Sequence, residues 1–317
     1  MEKPTLRPNN PNFSSGPCSK RPGWTLDALK GTPTGRSHRS KECKNKLNEA
    51  IVKSKKVLKL PDDYLLGIMP GSNTGALEAA MWCLLGGRGV DVMAWENFGK
   101  DWVIDVLDEL KIKEVNSHVT DYGILPDLTK INFKNDVIFT WNGTTAGVKV
   151  PNGDWIPDDR EGLTICDATS GIFAMEMDYK KCDVITWSWQ KVLGGEAAHG
   201  MIALSPRAVK RLETHTPPWP VPKLFRLANK QKLIKGIFDG STINTPSMIC
   251  TEDVIDALNW VDSVGGIDEL VKISNENLNI VEQWIDKSEW FEFMCKEKDK
   301  RSSTSITVLI KDEWFTK

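Results

Sequence analysis

A chain of 317 residues is too long for one ordinary core and suits one large domain with a smaller one. A formal net charge of -2, with 26% charged residues, gives no electrostatic reason to expect nucleic acid or a membrane surface as partner. No apolar run approaches the roughly 20 residues that cross a bilayer, and Met1 to Pro8 lacks the apolar core of a signal peptide, so the expected location is the cytoplasm. The first 36 residues, rich in Pro, Gly, Ser and Asn, read as an extended N-terminal arm. A helix is expected from about Ser40 to Leu58, with Leu47, Ala50, Ile51 and Leu58 on one stripe. Next come a strand over Tyr64 to Pro70, a turn at Gly71-Ser72-Asn73-Thr74-Gly75 and a helix from Ala76 to Leu85. Strand-like apolar runs recur at Val90 to Ala94, Asp136 to Trp141, Leu163 to Cys166, Val184 to Trp187 and Met201 to Leu204, with a helical pattern over Trp102 to Leu110. From about Gly265 a long amphipathic helix (Ile267 to Ile285) precedes two strand-like runs, Trp290 to Cys295 and Ser303 to Ile310.

Strands alternating with helices predict an α/β fold with a mostly parallel sheet over residues 37–262, followed by a smaller α+β domain over 263–317. In such sheets ligands bind at the carboxyl ends of the strands, which directs attention to the loops 71–75, 95–99, 142–147, 167–171 and 188–195. Seven cysteines, at 18, 43, 83, 166, 182, 250 and 295, form no C-x-x-C pair, so neither a disulfide framework nor a metal site is expected.

Three strand ends carry the chemistry. Lys191 follows the apolar run Val184 to Trp187 and precedes Gly194-Gly195. There an amine can sit in a partly dry pocket, where desolvation favours its neutral, nucleophilic form. Asp167 ends the run Leu163 to Cys166 and is suited to pair with a protonated ring nitrogen. The turn at 71–75 opens a helix whose backbone amides and dipole suit a phosphate. Each has a plainer reading alone: a surface lysine, an aspartate capping a turn, an ordinary helix start. Together on one sheet they are far more specific.

At these residues the sequence resembles the phosphoserine aminotransferases, a family of class V aminotransferases among the fold-type I pyridoxal-phosphate enzymes. The resemblance begins with Asn12-Phe13-Ser14-Ser15-Gly16-Pro17 and Ser37-His38-Arg39-Ser40-Lys41. It continues through Cys166-Asp167-Ala168-Thr169-Ser170, the run from Trp187 to Glu196 that contains Gln190 and Lys191, and Ile243-Asn244-Thr245-Pro246. It implies a large pyridoxal-phosphate-dependent-transferase domain, with pyridoxal 5'-phosphate held as a Schiff base on Lys191 and its ring nitrogen on Asp167. It also implies that Asn73, Thr74 and Gln190 meet the cofactor phosphate, with Asn244 and Thr245 reaching it from the other subunit of a homodimer with shared active sites. Thr144 would bond near the ring hydroxyl. Phe98 falls where the family stacks an aromatic on the ring, and Trp95 is close enough to leave that choice open. His38 and Arg39 match the family's pair for the substrate phosphate, again from the neighbouring subunit.

The implied reaction moves an amino group between glutamate and 3-phosphohydroxypyruvate in serine biosynthesis. The alternatives are another class V aminotransferase, such as the serine–glyoxylate type, and a catalytically silent protein of this fold. Two departures stand out. The turn at Ser72-Asn73-Thr74 lacks the arginine many members carry there, and the chain stops at Lys317, before the family's arginine for the substrate carboxylate, so the smaller domain is expected to be incomplete.

Overall fold

The structure is a computed structural model, and it describes residues 16–312. The motif residues Asn12 to Ser15, the first part of the arm and the last five residues lie outside the described residues. Helix α1 (Lys41–Val57) starts where the Ser40 hydroxyl accepts from the Cys43 N–H, and it buries the stripe Cys43, Leu47, Ala50 and Ile51. Strand β1 (Leu65–Pro70) leads through Gly71 into helix α2 (Ser72–Leu84). Gly71 (φ 79°) and Ser72 (φ 55°) both take left-handed backbone, so the expected turn is real but two residues long, and the helix begins earlier than the sequence suggests.

Strand β2 (Val90–Ala94) is followed by α3 (Asn97–Ile104), which the buried Glu96 caps from its side chain. The pattern read as a helix over Trp102 to Leu110 is the end of α3 and a π-helical turn over Asp105–Glu109. Then come β3 (Val115–Val119), β4 (Asp136–Thr140), a tight hairpin of β5 (Asn142–Gly143) and β6 (Val148–Lys149), β7 (Thr164–Asp167), β8 (Val184–Ser188) and β9 (His199–Leu204). Helix α4 (Pro206–Thr214), a small hairpin β10 (Ala228–Asn229) and β11 (Lys232–Leu233), and helices α5 (Met248–Val264) and α6 (Gly266–Asp286) follow. Strands β12 (Phe291–Phe293) and β13 (Val308–Ile310) pair antiparallel at the end.

The main sheet has seven strands in the order β1-β9-β8-β7-β4-β2-β3. Only β9 runs against the others, pairing antiparallel with both β1 and β8. All the other carboxyl ends therefore open on one edge. Strands β2, β4, β7 and β8 are buried along their whole length, which is why their sequences read as continuous apolar runs. Their side chains alternate between two cores: Ile185 and Trp187 join the α1 and α5 side, while Val184 and Ile202 join the α2 and α4 side. The first core continues past residue 263, where Ile267, Leu270, Val271 and Cys295 pack into it.

The opposite edge of the sheet is held by buried acids. Asp183, 1% exposed, accepts from Arg160 Nε (3.2 Å), an Arg207 guanidinium nitrogen (3.0 Å), the Ser205 hydroxyl (2.9 Å) and the Thr164 N–H (3.0 Å). Asp136 accepts from Arg211 (2.9 Å) and from the Leu163 N–H (2.8 Å). Residues 303–307, expected as the first part of a strand, instead pack beside the β5–β6 hairpin and the Ser170 loop. The Ser302 N–H donates to the Gly147 carbonyl (3.0 Å) beside a single bridge between Val148 and Arg301, and the Thr304 hydroxyl donates to the Ser170 carbonyl (2.7 Å).

Candidate active site

The carboxyl ends of β1, β2, β4, β7 and β8 surround one cavity of about 120 Å³. It is lined by Asn73, Thr74, Phe98, Thr144, Asp167, Gln190 and Lys191, seven of the residues singled out from the sequence. Ser72, Glu96, Trp102, Thr140, Asn142, Thr169, Ser170 and Ser188 complete the wall. A larger hollow of about 810 Å³ adjoins it, sharing Thr144, Ser170 and Lys191 and bounded by the arm, α6 and the segment 303–307.

Asp167 ends β7 and is 8% exposed. Burial pushes its carboxyl up from the usual range. The Thr169 N–H, donating at 3.0 Å, and nearby donors of Thr169, Trp102 and Asn73 pull the other way. A cationic partner at this position would reverse the effect of burial. Glu96 is held by the Gly99 N–H (2.6 Å) and by the N–H and hydroxyl of Thr145 (3.2 and 3.0 Å), yet burial still raises its carboxyl. On the β4 side the Thr144 hydroxyl donates to Ser170 Oγ (2.8 Å), as does the Asn142 side-chain amide (2.9 Å).

The wall holds many buried polar atoms that the protein does not answer. Asn73 Oδ1, Thr140 Oγ1, Asn142 Oδ1, Ser188 Oγ and Gln190 Oε1 are all buried without a hydrogen-bond partner. Buried polar groups are normally satisfied, so a cluster of exceptions marks a place built to receive a polar ligand. Helix α2 points its first turn at the same cavity through Ser72, Asn73 and Thr74, and no side chain caps it.

Between the two aromatic candidates the placement differs sharply. Trp95 is fully buried in the core and donates its indole N–H to the Val148 carbonyl (2.9 Å), whereas Phe98, 44% exposed, lines the cavity. His38, Arg39, Asn244 and Thr245 do not line it. Arg39 borders a separate surface hollow with Lys41 and Lys44, and Asn244 and Thr245 stand exposed before α5. Of the wall residues not singled out, Thr140, Asn142 and Ser188 sit at or just past apolar strand ends, a legible signal. Trp102 gave none, because its position looks like any apolar helix stripe. Among the described residues no group of three or more His, Cys, Asp or Glu side chains is placed to hold a metal ion.

Just behind the cavity lies His199, 5% exposed. Its Nε2 accepts from the Ser247 N–H (3.0 Å), its ring lies 4.8 Å from that of Trp189, and burial lowers its pKa from 6.5 to about 4. Between these pH values the unfolded chain binds a proton that the folded chain refuses, so stability rises with pH across that window. The expected result is a loss of up to about 3 kcal/mol as pH falls from 6.5 to 4, read by urea unfolding at each pH and absent in His199→Gln. An equal pH slope in the variant would reject it.

No family model matches the chain. A phosphoserine aminotransferase from Methanosarcina barkeri is 60% identical over 304 residues, 96% of this chain and 82% of the relative. A solved phosphoserine aminotransferase from Cytophaga hutchinsonii superposes with a TM-score of 0.79 at 20% identity, covering 90% of this chain and 79% of that one. A phosphoserine aminotransferase from Trichomonas vaginalis, solved with pyridoxal phosphate bound, gives 0.76 at 17% identity over 96% of this chain and 89% of that one. The chain thus has the fold of these solved aminotransferases. Identity of 60% narrows this further: the chain belongs to the phosphoserine aminotransferase family.

Proposed function

We propose that the chain transfers an amino group between glutamate and 3-phosphohydroxypyruvate, forming phosphoserine and 2-oxoglutarate with pyridoxal 5'-phosphate at the strand-end cavity. The observation that carries the reading is the convergence of Lys191, Asp167 and the start of α2 on one wall rich in unanswered buried polar atoms. The wall fits this cofactor. Asp167 would hold the ring nitrogen and keep it protonated, Phe98 would cover one ring face, and Thr144 would bond near the ring hydroxyl. The first-turn amides of α2, with Thr74 and Gln190, would hold the phosphate. When bound, the cofactor draws electrons from the substrate's α-carbon so that its proton can leave. Lys191 Nζ would carry the covalent attachment and, once displaced from it by the substrate amine, would take that proton and deliver it to the carbon across the shared nitrogen. The arm lies against the lysine loop, where the Cys18 N–H donates to the Gln190 carbonyl (2.7 Å).

Asn244 and Thr245 would complete the phosphate site of the other subunit of a homodimer, which suits their exposure in their own chain. His38 and Arg39 would likewise serve the partner's substrate. The proposed division is an arm to residue 36, a cofactor domain over 37–262 and a smaller domain from 263. Seven free cysteines support the reducing cytoplasm as its place. No helix among the described residues is long and apolar enough to cross a membrane.

The test is a substrate comparison with glutamate as donor. The wild-type protein is expected to prefer 3-phosphohydroxypyruvate over hydroxypyruvate. Arg39→Ala should lower kcat/KM for the phosphorylated acceptor about 10- to 100-fold, the worth of a charge-assisted contact, and leave the plain one unchanged. Equal loss on both acceptors, or none, would assign the chain to a class V aminotransferase of other specificity.

A further inference from the structure

We propose that His199 is a positioning residue that holds the two phosphate-binding loops of its own subunit's site in register with the loop this subunit lends to its partner's site. This rests on the reading above, in which the start of α2 and the Gln190–Lys191 loop hold the phosphate of their own subunit while the Asn244–Thr245 loop reaches that of the partner. No line of the sequence pattern pointed to His199, and it does not line the cavity.

The antiparallel strand β9 lies between β1 and β8, and His199 opens it. On the β1 side His199 stands opposite Pro70, the residue before the turn into α2. The next residue, Gly200, lies so close to that turn that a Cβ on it would overlap the Ser72 carbonyl oxygen. On the β8 side the imidazole packs against the Trp189 ring at 4.8 Å. Trp189 in turn closes the lysine loop, its carbonyl accepting from the Gly195 N–H (3.0 Å). The third contact is the Ser247 N–H, which donates to His199 Nε2 at 3.0 Å. Ser247 caps α5 from its side chain, so its own N–H has no acceptor in that helix and must find one elsewhere. Pro246 just before it has no N–H to offer, so this bond is the nearest backbone anchor following Asn244 and Thr245 on the helix side.

An acceptor at Nε2 requires the neutral ring with its hydrogen on Nδ1, and burial keeps the ring neutral. Few side chains combine a flat face for Trp189 with an acceptor at that reach. Phenylalanine keeps the face and lacks the acceptor. Glutamine keeps an acceptor oxygen near the Nε2 position.

Cofactor-stripped wild-type protein, His199→Phe and His199→Gln are titrated with pyridoxal phosphate, followed by absorbance and by the 31P resonance of the bound phosphate. His199→Phe is expected to bind about tenfold more weakly and to shift the 31P resonance, while His199→Gln stays within about threefold of wild type. A change that only lowered overall stability would leave the 31P resonance of the folded fraction in place. Wild-type affinity and resonance in His199→Phe, or equal impairment in both variants, overturns the proposal. If His199→Phe does not fold, hydrogen exchange on the wild type decides. The Ser247 amide should be protected when stripped and more protected when loaded, and exchange at the unprotected rate in both states overturns the idea. Failure of the wild-type protein to take up pyridoxal phosphate would instead overturn the functional reading.

Discussion

Replacing Lys191 by alanine is expected to lower the rate of amino transfer by about 10⁴-fold, because one side chain serves as both attachment point and proton carrier. General acid–base action alone is worth on the order of 10² to 10⁴, and loss of the covalent link adds to it. The fold should survive. Lys191 sits in the loop beyond β8, and it is only partly buried. The variant should therefore keep its unfolding midpoint and still take up the cofactor without a covalent bond, shifting its absorbance band. Single-turnover absorbance with glutamate measures the rate, and borohydride trapping reports the attachment. A variant within tenfold of wild type would remove Lys191 from the mechanism.

The largest effect on stability is expected at the other end of the same strand. Asp183→Ala should destabilise the protein by about 3–5 kcal/mol, since it leaves the nearly buried Arg160 guanidinium without its counter-charge and strips an acceptor from the Thr164 N–H and the Ser205 hydroxyl. Burying a charge unpaired costs far more than losing an exposed ion pair, and the Asp183–Arg160 pair is shielded on both sides, at 1% and 5% exposure. Urea unfolding measures the difference. Strand β8 carries Asp183 and the lysine loop to opposite edges, about 15–20 Å apart at the usual rise per residue. The cofactor spectrum of the folded fraction should therefore be unaltered. A loss below about 1 kcal/mol would mean that water reaches Arg160 and that the site is not the closed network described.

How much of this was legible depended on burial. Strands β2, β4, β7 and β8 are covered on both faces, so their sequences are apolar throughout and stand out. Strand β3, Val115-Asn116-Ser117-His118-Val119, lies at the sheet edge with mostly exposed or half-exposed side chains, and its composition carries no strand signal. The cavity wall was read best where a polar residue interrupts an apolar run, as Asp167 and Lys191 do. Trp102 reaches Asp167 only through the way α3 packs, which periodicity does not encode. The choice between Trp95 and Phe98 turned on the same kind of fact: Trp95 continues the buried path of β2 and its indole is spent on the Val148 carbonyl. His38, Arg39, Asn244 and Thr245 were singled out by their resemblance to a motif and not by their surroundings, and within one chain they do not line the cavity.

The two edges of the main sheet differ in a way that bears on how the molecule tolerates change. At the amino edge, Asp183 and Asp136 meet arginines and backbone donors, so substitutions there act on folding. At the carboxyl edge, several wall polar atoms have no partner in the protein, so substitutions there are expected to act on the site more than on folding. A sequence can thus drift toward a new acceptor at one rim while the opposite rim keeps the chain folded. Selection for robustness and selection for specificity fall on residues that do not touch.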